Sequence, residues 1–150
     1  MSIDLLILGT QEAPFFHLYL QSEVLGTASD AVLGSPSNAA QFQITGGQLI
    51  QNPQGTKLYA QVEAYTSGMT KLKMTWGTSP NSFGSFTWSG DTVEWSSPDV
   101  KRQQLNAWLI CADAAGHNDV YINLGAYSYM TPAGCGDQTI HGYTGATATA

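Results

Sequence analysis

Apolar and polar residues alternate with a period of two along much of this chain, and helical spacing is nearly absent. In Leu58-Tyr59-Ala60-Gln61-Val62-Glu63-Ala64 the alternation puts Leu58, Ala60, Val62 and Ala64 on one face of a strand. Lys71-Leu72-Lys73-Met74-Thr75-Trp76 repeats the pattern with both lysines outward. Gln41–Ile44 and Gln48–Gln51 flank Gly46-Gly47, a pair suited to a tight hairpin turn. Phe86-Thr87-Trp88 passes through Ser89-Gly90-Asp91 into Thr92-Val93-Glu94-Trp95 in the same way. Further strands are expected at Ile3–Leu8, Phe15–Leu20, Asn106–Ala112 and Val120–Leu124, with a short one at Val24-Leu25-Gly26. Gly34-Ser35-Pro36-Ser37-Asn38 reads as a loop. The only helical candidates are brief, such as Pro98–Asn106, so the fold class is all-β.

A chain of 150 residues is most simply one domain. Residues 1–141 are assigned to it, and 142–150, ending in alternating Ala and Thr, to a loosely ordered tail. One internal echo bears on architecture. Phe42-Gln43-Ile44-Thr45-Gly46-Gly47-Gln48-Leu49 resembles Phe86-Thr87-Trp88-Ser89-Gly90-Asp91-Thr92-Val93, 44 positions later. Repeats near that length occur in β-trefoils and propeller blades. A propeller needs more copies than the chain can hold. A trefoil needs three, and no earlier copy is visible before residue 10. A compact β-sandwich or barrel is therefore the leading architecture, with the trefoil as the alternative.

Charged residues make up only 11% of the chain, against a usual share of about 25%. The surface must be built largely from Ser, Thr, Asn, Gln and Gly, which suits an extracellular or wall-bound protein and recognition of neutral sugars. An ordinary polar β-protein surface has the same composition. Net charge is −6, and Lys57, Lys71, Lys73, Lys101 and Arg102 are too few and dispersed for a basic groove, which argues against nucleic acid. No apolar run reaches a membrane span, and the acidic balance disfavours anionic lipid. Leu5–Leu8 is apolar, but Asp4 precedes it without a basic region, so it reads as the first strand of a mature protein rather than a signal peptide. No Asn-x-Ser/Thr sequon occurs.

The two cysteines add to this picture. Cys111 ends the apolar run Trp108-Leu109-Ile110, and Cys135 lies between Gly134 and Gly136 in an expected turn. A lone pair in a chain of this composition suggests one structural disulfide in an exported protein; the alternative is two unrelated buried thiols.

Candidate chemistry is sparse. The tract Cys135-Gly136-Asp137-Gln138-Thr139-Ile140-His141 holds a thiol, a carboxylate and an imidazole, but a bridged Cys135 offers no nucleophile. Asp137 and His141 supply two metal ligands, and His117 and Asp119 would have to converge with them to make a zinc site. Asp113, Asn118 and Asp119 form a loop of oxygen donors for calcium, or simply a hydrogen-bonded turn. Asp91 and Glu94 flank a hairpin turn rather than facing each other across a cleft as glycosidase carboxylates must. No catalytic residue, metal ligand or cofactor is therefore assigned. The aromatic content gives the more specific expectation. Trp88 and Trp95 flank Ser89-Gly90-Asp91, and Tyr127 and Tyr129 alternate along one strand face, so Trp88, Asp91, Trp95, Tyr127 and Tyr129 are the candidate glycan-binding residues. Burial in the core is the competing reading for any one ring, above all for Trp108 beside Cys111.

Residues 39–136 also carry an ordered set of local matches. Ala40-Gln41-Phe42-Gln43-Ile44 with Gly47-Gln48-Leu49, then Lys57-Leu58-Tyr59-Ala60-Gln61-Val62, then Phe86-Thr87-Trp88-Ser89-Gly90 follow one another. Trp108-Leu109-Ile110-Cys111 and Gly134-Cys135, with Val120–Gly125 between, complete the set. In these the chain resembles the PhiA-like, phialide-associated secreted cell-wall proteins of filamentous fungi. It departs from them in its N-terminal third, which lacks a further cysteine pair. The resemblance implies a secreted, wall-associated protein with no established catalytic role; the expectation of a cell-wall polysaccharide or glycan as partner comes from the low charge and the aromatic residues. Its alternatives are a structural wall component or an immunologically active effector that binds a protein, and, third, a small secreted hydrolase.

Overall fold

The structure is a computed structural model that describes residues 6–9, 18–25, 27–35, 40–51, 56–102, 104–124 and 134–144. Among these residues there is no helix, and the strands join into one antiparallel sheet. The chain passes through them in three similar units. The first contains β1 (Leu6–Gly9), β2 (Tyr19–Ser22), β3 (Ala31–Gly34) and β4 (Phe42–Thr45). The second contains β5 (Gln48–Gln51), β6 (Leu58–Val62), β7 (Lys71–Gly77) and β8 (Ser85–Ser89). The third contains β9 (Thr92–Ser96), β10 (Trp108–Ala112), β11 (Asn118–Asn123) and β13 (His141–Thr144), with an additional strand β12 (Cys135–Gln138) before the last.

Six of these strands close a barrel. β1 meets β4 at Leu6↔Phe42 and runs antiparallel to β13 from Leu6↔Thr144 to Gly9↔His141. β4–β5 and β8–β9 are hairpins. The Phe86 amide donates to the Gly47 carbonyl (2.9 Å), joining β8 to the first hairpin, and β9 meets β13 at Thr92↔His141. Six others cap the barrel as hairpins β2–β3, β6–β7 and β10–β11, and β12 lies along β10. β11 pairs with both β3 and β7, and the Asp30↔Thr75 bridge joins the start of β3 to β7. This barrel with three interlocked hairpins has the connectivity of a β-trefoil.

The 44-residue echo is thus a pair of equivalent barrel hairpins. Both have two-residue turns, Gly46-Gly47 and Gly90-Asp91. Gly46 (φ 57°) and Gly47 (φ 79°) both take the left-handed conformation that such a turn requires. The third equivalent is β13 against β1, which come from opposite ends of the chain. It has no turn, so no third copy appears in the sequence.

Alternation buries Leu58, Ala60 and Val62 on β6 and Leu72, Met74 and Trp76 on β7, as the pattern predicts. The core also takes Trp95 and Trp108, and every one of these buried indoles has a partner for its N–H. Trp76 donates to the Gln21 carbonyl (3.2 Å), Trp95 to Phe83 (3.2 Å) and Trp108 to Val93 (2.9 Å). Gly84 (φ 76°) lies against Trp95 so closely that a Cβ there would meet the indole at 2.4 Å.

Several boundaries differ from expectation. Val24 and Leu25 lie in an exposed turn rather than a strand, and Ala64 lies beyond β6 in solvent. β3 escapes the pattern because Ala31, Val32 and Leu33 are all buried, so it carries no alternation. Cys135 opens β12 instead of sitting in a turn, and residues 142–144, assigned to the tail, belong to β13. Residues 145–150 lie outside the described residues. The described residues of segment 98–106 contain no helix; Arg102 organises it instead. Its guanidinium donates to the carbonyls of Trp95 (2.5 Å), Leu105 (3.1 Å), Ala107 (2.5 Å) and Asn123 (3.1 Å) and lies over the Trp95 ring. Burial pushes its pKa down to about 10, partly offset by Glu94, so it stays charged at neutral pH.

Cys111 and Cys135 form the disulfide, directly opposite each other in the β10–β12 ladder with Cα atoms 4.0 Å apart. Two stability outcomes follow from these features. Arg102→Met takes the guanidinium from four carbonyls at once, of which Leu105 and Ala107 keep a backbone donor, and should cost about 3 kcal/mol in urea unfolding, with Arg102→Lys recovering only part. Replacing both cysteines by Ala should cost about 3–4 kcal/mol on the chain-entropy account. Amide exchange should then accelerate first in residues 135–138, and uniform acceleration across the barrel would contradict a local clamp.

Candidate functional site

Charge is scarce in this chain, yet five of its eleven acids and two of its five bases gather around the interlocked hairpins. They are Glu23, Asp30, Glu63, Asp113 and Asp119, with Lys71 and Lys73. The three hairpins supply the centre of the group. Asp30 enters β3, Lys73 lies on β7 and Asp119 on β11. Lys73 Nζ is 3.1 Å from Asp30 Oδ2 and 3.7 Å from Asp119 Oδ2. On the turn side, His117 Nδ1 is 3.2 Å from Glu23 Oε1 and 3.6 Å from Asp113 Oδ2.

Each carboxylate has a distinct environment. Asp113 Oδ1 accepts from the amides of Ala115 (2.9 Å) and His117 (3.0 Å), fixing the β10–β11 turn. The His117 amide, then that of Ala115, holds the Asp113 pKa below its ordinary value. Asp119 is 5% exposed. Burial raises its pKa to about 6 against the opposing pull of Lys73, with the neighbouring Asp113 and Asp30 adding to the rise. Lys73 is raised as well: burial works against its charge, and the Asp30 hydrogen bond, Tyr121, Asp119 and the Asp30 charge together outweigh that.

Beside this centre runs an open groove of about 450 Å³, lined by Glu63, Gly68, Met69, Thr70, Lys71, Lys73 and Tyr121. The ammonium groups of Lys71 and Lys73 lie 5.1 Å and 5.5 Å from the centre of the Tyr121 ring. Glu63 Oε1 accepts from the Lys73 amide (2.8 Å), which fixes the carboxylate on the groove wall. Donors, acceptors and a half-buried aromatic ring therefore share one surface.

The residues expected to form a glycan platform do not come together in this way. Trp95 is fully buried, its faces covered by Phe83, Gly84 and Arg102, and it presents nothing to a ligand. Trp88 is half-buried against the core, while Asp91 is exposed in the hairpin turn. Tyr127 and Tyr129 lie outside the described residues. The Cys135–His141 tract separates too. Cys135 is bridged, Asp137 accepts from Asn123 Nδ2, and His141 lies on another strand. His141 Nδ1 is 3.2 Å from Asp91 Oδ2, and its Nε2 is 2.7 Å from Thr139 Oγ1. That connectivity resembles an Asp-His-hydroxyl relay, but the Asp91 side chain is 67% exposed, so water screens the charge that would have to support an imidazolium. Asp91 and Glu94 do not form a pair, since Glu94 acts on Arg102.

Sequence inspection singled out Asp113, His117 and Asp119 but missed Glu23, Asp30, Glu63 and Tyr121. The outward alternation of Lys71 and Lys73 on β7 was the one available signal, because it placed two cations on a single solvent face.

Asp119 gives a pH-dependent outcome. Its folded-state pKa of about 6 exceeds the ordinary value of 3.8, so the folded protein binds this proton more tightly. The cost of ionising it is absent below about pH 4, grows as pH rises and is complete above about pH 6. In chelator, Asp119→Asn should raise stability by about 1–3 kcal/mol near pH 7 and give no advantage near pH 4. A loss of stability at pH 7 would mean that the Lys73 pairing outweighs burial.

No helix among the described residues is long and apolar enough to cross a membrane. Comparison with known proteins finds no match among protein-family models, curated proteins or solved structures.

Proposed function

We propose that this protein is a secreted, non-catalytic recognition domain of a fungal cell wall, binding neutral glycan in the groove beside Tyr121. The observation carrying this reading is the groove itself. Glu63, Thr70, Lys71 and Lys73 offer acceptors and donors for sugar hydroxyls around the edge of an aromatic ring. The scarcity of charge elsewhere fits a neutral ligand. The Cys111–Cys135 bridge fits export, because such bonds persist in oxidising compartments. It also removes the only two thiols from nucleophilic chemistry. The resemblance to PhiA-like wall proteins points to the same compartment.

A second reading has its own observation. Val24 and Leu25, each 55% exposed on the β2–β3 turn, form an apolar tip suited to a protein partner rather than a sugar.

Retention on insoluble chitin or β-glucan in moderate salt tests the first reading. Wild type should be retained without releasing soluble sugar, and Tyr121→Ala should weaken binding by about 1–2 kcal/mol with the fold intact by circular dichroism. Loss in Trp88→Ala instead would move the site to the β8–β9 hairpin. No retention on any wall fraction, with a blank glycan array, would sink the glycan reading and leave the apolar tip as the place to look.

A further inference from the structure

The charged centre has more negative charge than its own cation offsets. Glu23, Asp30, Asp113 and Asp119 converge there, and Lys73 is the ammonium in contact with two of them. Glu23, Asp30 and Asp119 can each aim a carboxylate oxygen at one point, these atoms lying within 4.8 Å of one another. A separate observation concerns Asp119, the buried member of the three, whose side chain also contacts Lys73 and Asp113. Asp119 Oδ1 is buried and meets no hydrogen-bond donor, although its side chain is only 7% exposed. A buried carboxylate oxygen left this way costs free energy unless a cation completes its shell.

We propose that Glu23, Asp30 and Asp119 bind a divalent cation of the calcium class at the junction of the β2–β3 and β10–β11 hairpins. The donor set selects the ion. Three carboxylates without sulfur or imidazole favour a hard cation over zinc or copper. The ligands come from three separate points, before β3, after β2 and on β11. They set no octahedral frame of the kind magnesium demands, whereas calcium accepts irregular shells of six to eight oxygens completed by water. Asp113 stays outside the first shell, because its Oδ1 is committed to the Ala115 and His117 amides. His117, on the far side of Glu23, orients that carboxylate through its Nδ1 contact. On binding, the Lys73 ammonium leaves Asp30 and Asp119 to the ion and remains beside the Tyr121 ring it already approaches.

Calorimetric titration with calcium chloride and thermal unfolding in calcium, magnesium or chelator test this on the whole chain. Saturable binding of one ion is expected, with a Kd on the order of 10⁻⁴–10⁻³ M, as in extracellular calcium modules. The melting temperature should rise by several degrees in calcium at about ten times that Kd and by less in magnesium. Glu23→Gln and Asp119→Asn should each lose at least about tenfold in affinity, while Asp91→Asn, on the β8–β9 turn, should bind as wild type. Asp119→Asn is expected to fold at least as stably in chelator, so its loss of binding cannot be laid to unfolding. Absence of heat and of any melting shift up to about 10 mM calcium or magnesium would overturn the proposal, as would wild-type affinity in Asp119→Asn. Preferential zinc binding that disappears in His117→Gln would overturn the assignment to three carboxylates.

Discussion

The structure depends on one closure: the antiparallel pairing of β1 with β13 along four residues. Without it, β1 and β13 each lose the partner that completes the ring, and the barrel becomes an open, strongly curved sheet with two unpaired edges. Closing a sheet onto itself satisfies its edge amides and carbonyls by geometry rather than by side chains. Here the closing strands come from opposite ends of the chain, so loop-closure entropy is paid over nearly the whole sequence before that contact forms. The hairpins β4–β5 and β8–β9 are local and can form first, which leaves the terminal pairing as the step that commits the fold.

The hairpin cap solves a different problem. Three hairpins packed against one another bring strand starts and ends to a common point. The chain places its scarce charge there, with one contribution from each hairpin in Asp30, Lys73 and Asp119. On the third hairpin, β12 covers the outer edge of β10, and the disulfide holds this four-residue strand where its few ladder bonds alone would fray. Arg102 performs the same service inside, tying carbonyls of β9, β11 and the 105–107 segment to one guanidinium.

Much of the fold was legible from local pattern. Period-two alternation located β6 and β7, and glycine-bearing turns located both barrel hairpins. The cysteine pair was legible because composition and compartment constrain it. The closure was not, because a hairpin without a turn leaves no contiguous signature. The glycan candidates failed at Trp95 for a related reason. Flanking a turn says which residues are near each other, but the inward face of β9 and the close approach of Gly84 decide that this indole is core. The charged centre was invisible because Glu23, Asp30, Lys73 and Asp119 lie on three hairpins, so only the cap topology brings them together.

The path of the chain also gives the molecule a polarity. Each unit starts at the barrel end that carries the turns at 46–47 and 90–91, descends into a cap hairpin and returns. Leu6 and Thr144, paired side by side, occupy the corresponding place in the third hairpin. The paired strand ends Leu6 and Thr144 therefore lie at one rim of the barrel, opposite the cap. The groove and the acidic centre, both built on the cap hairpins, lie at the far end of the molecule from that pairing.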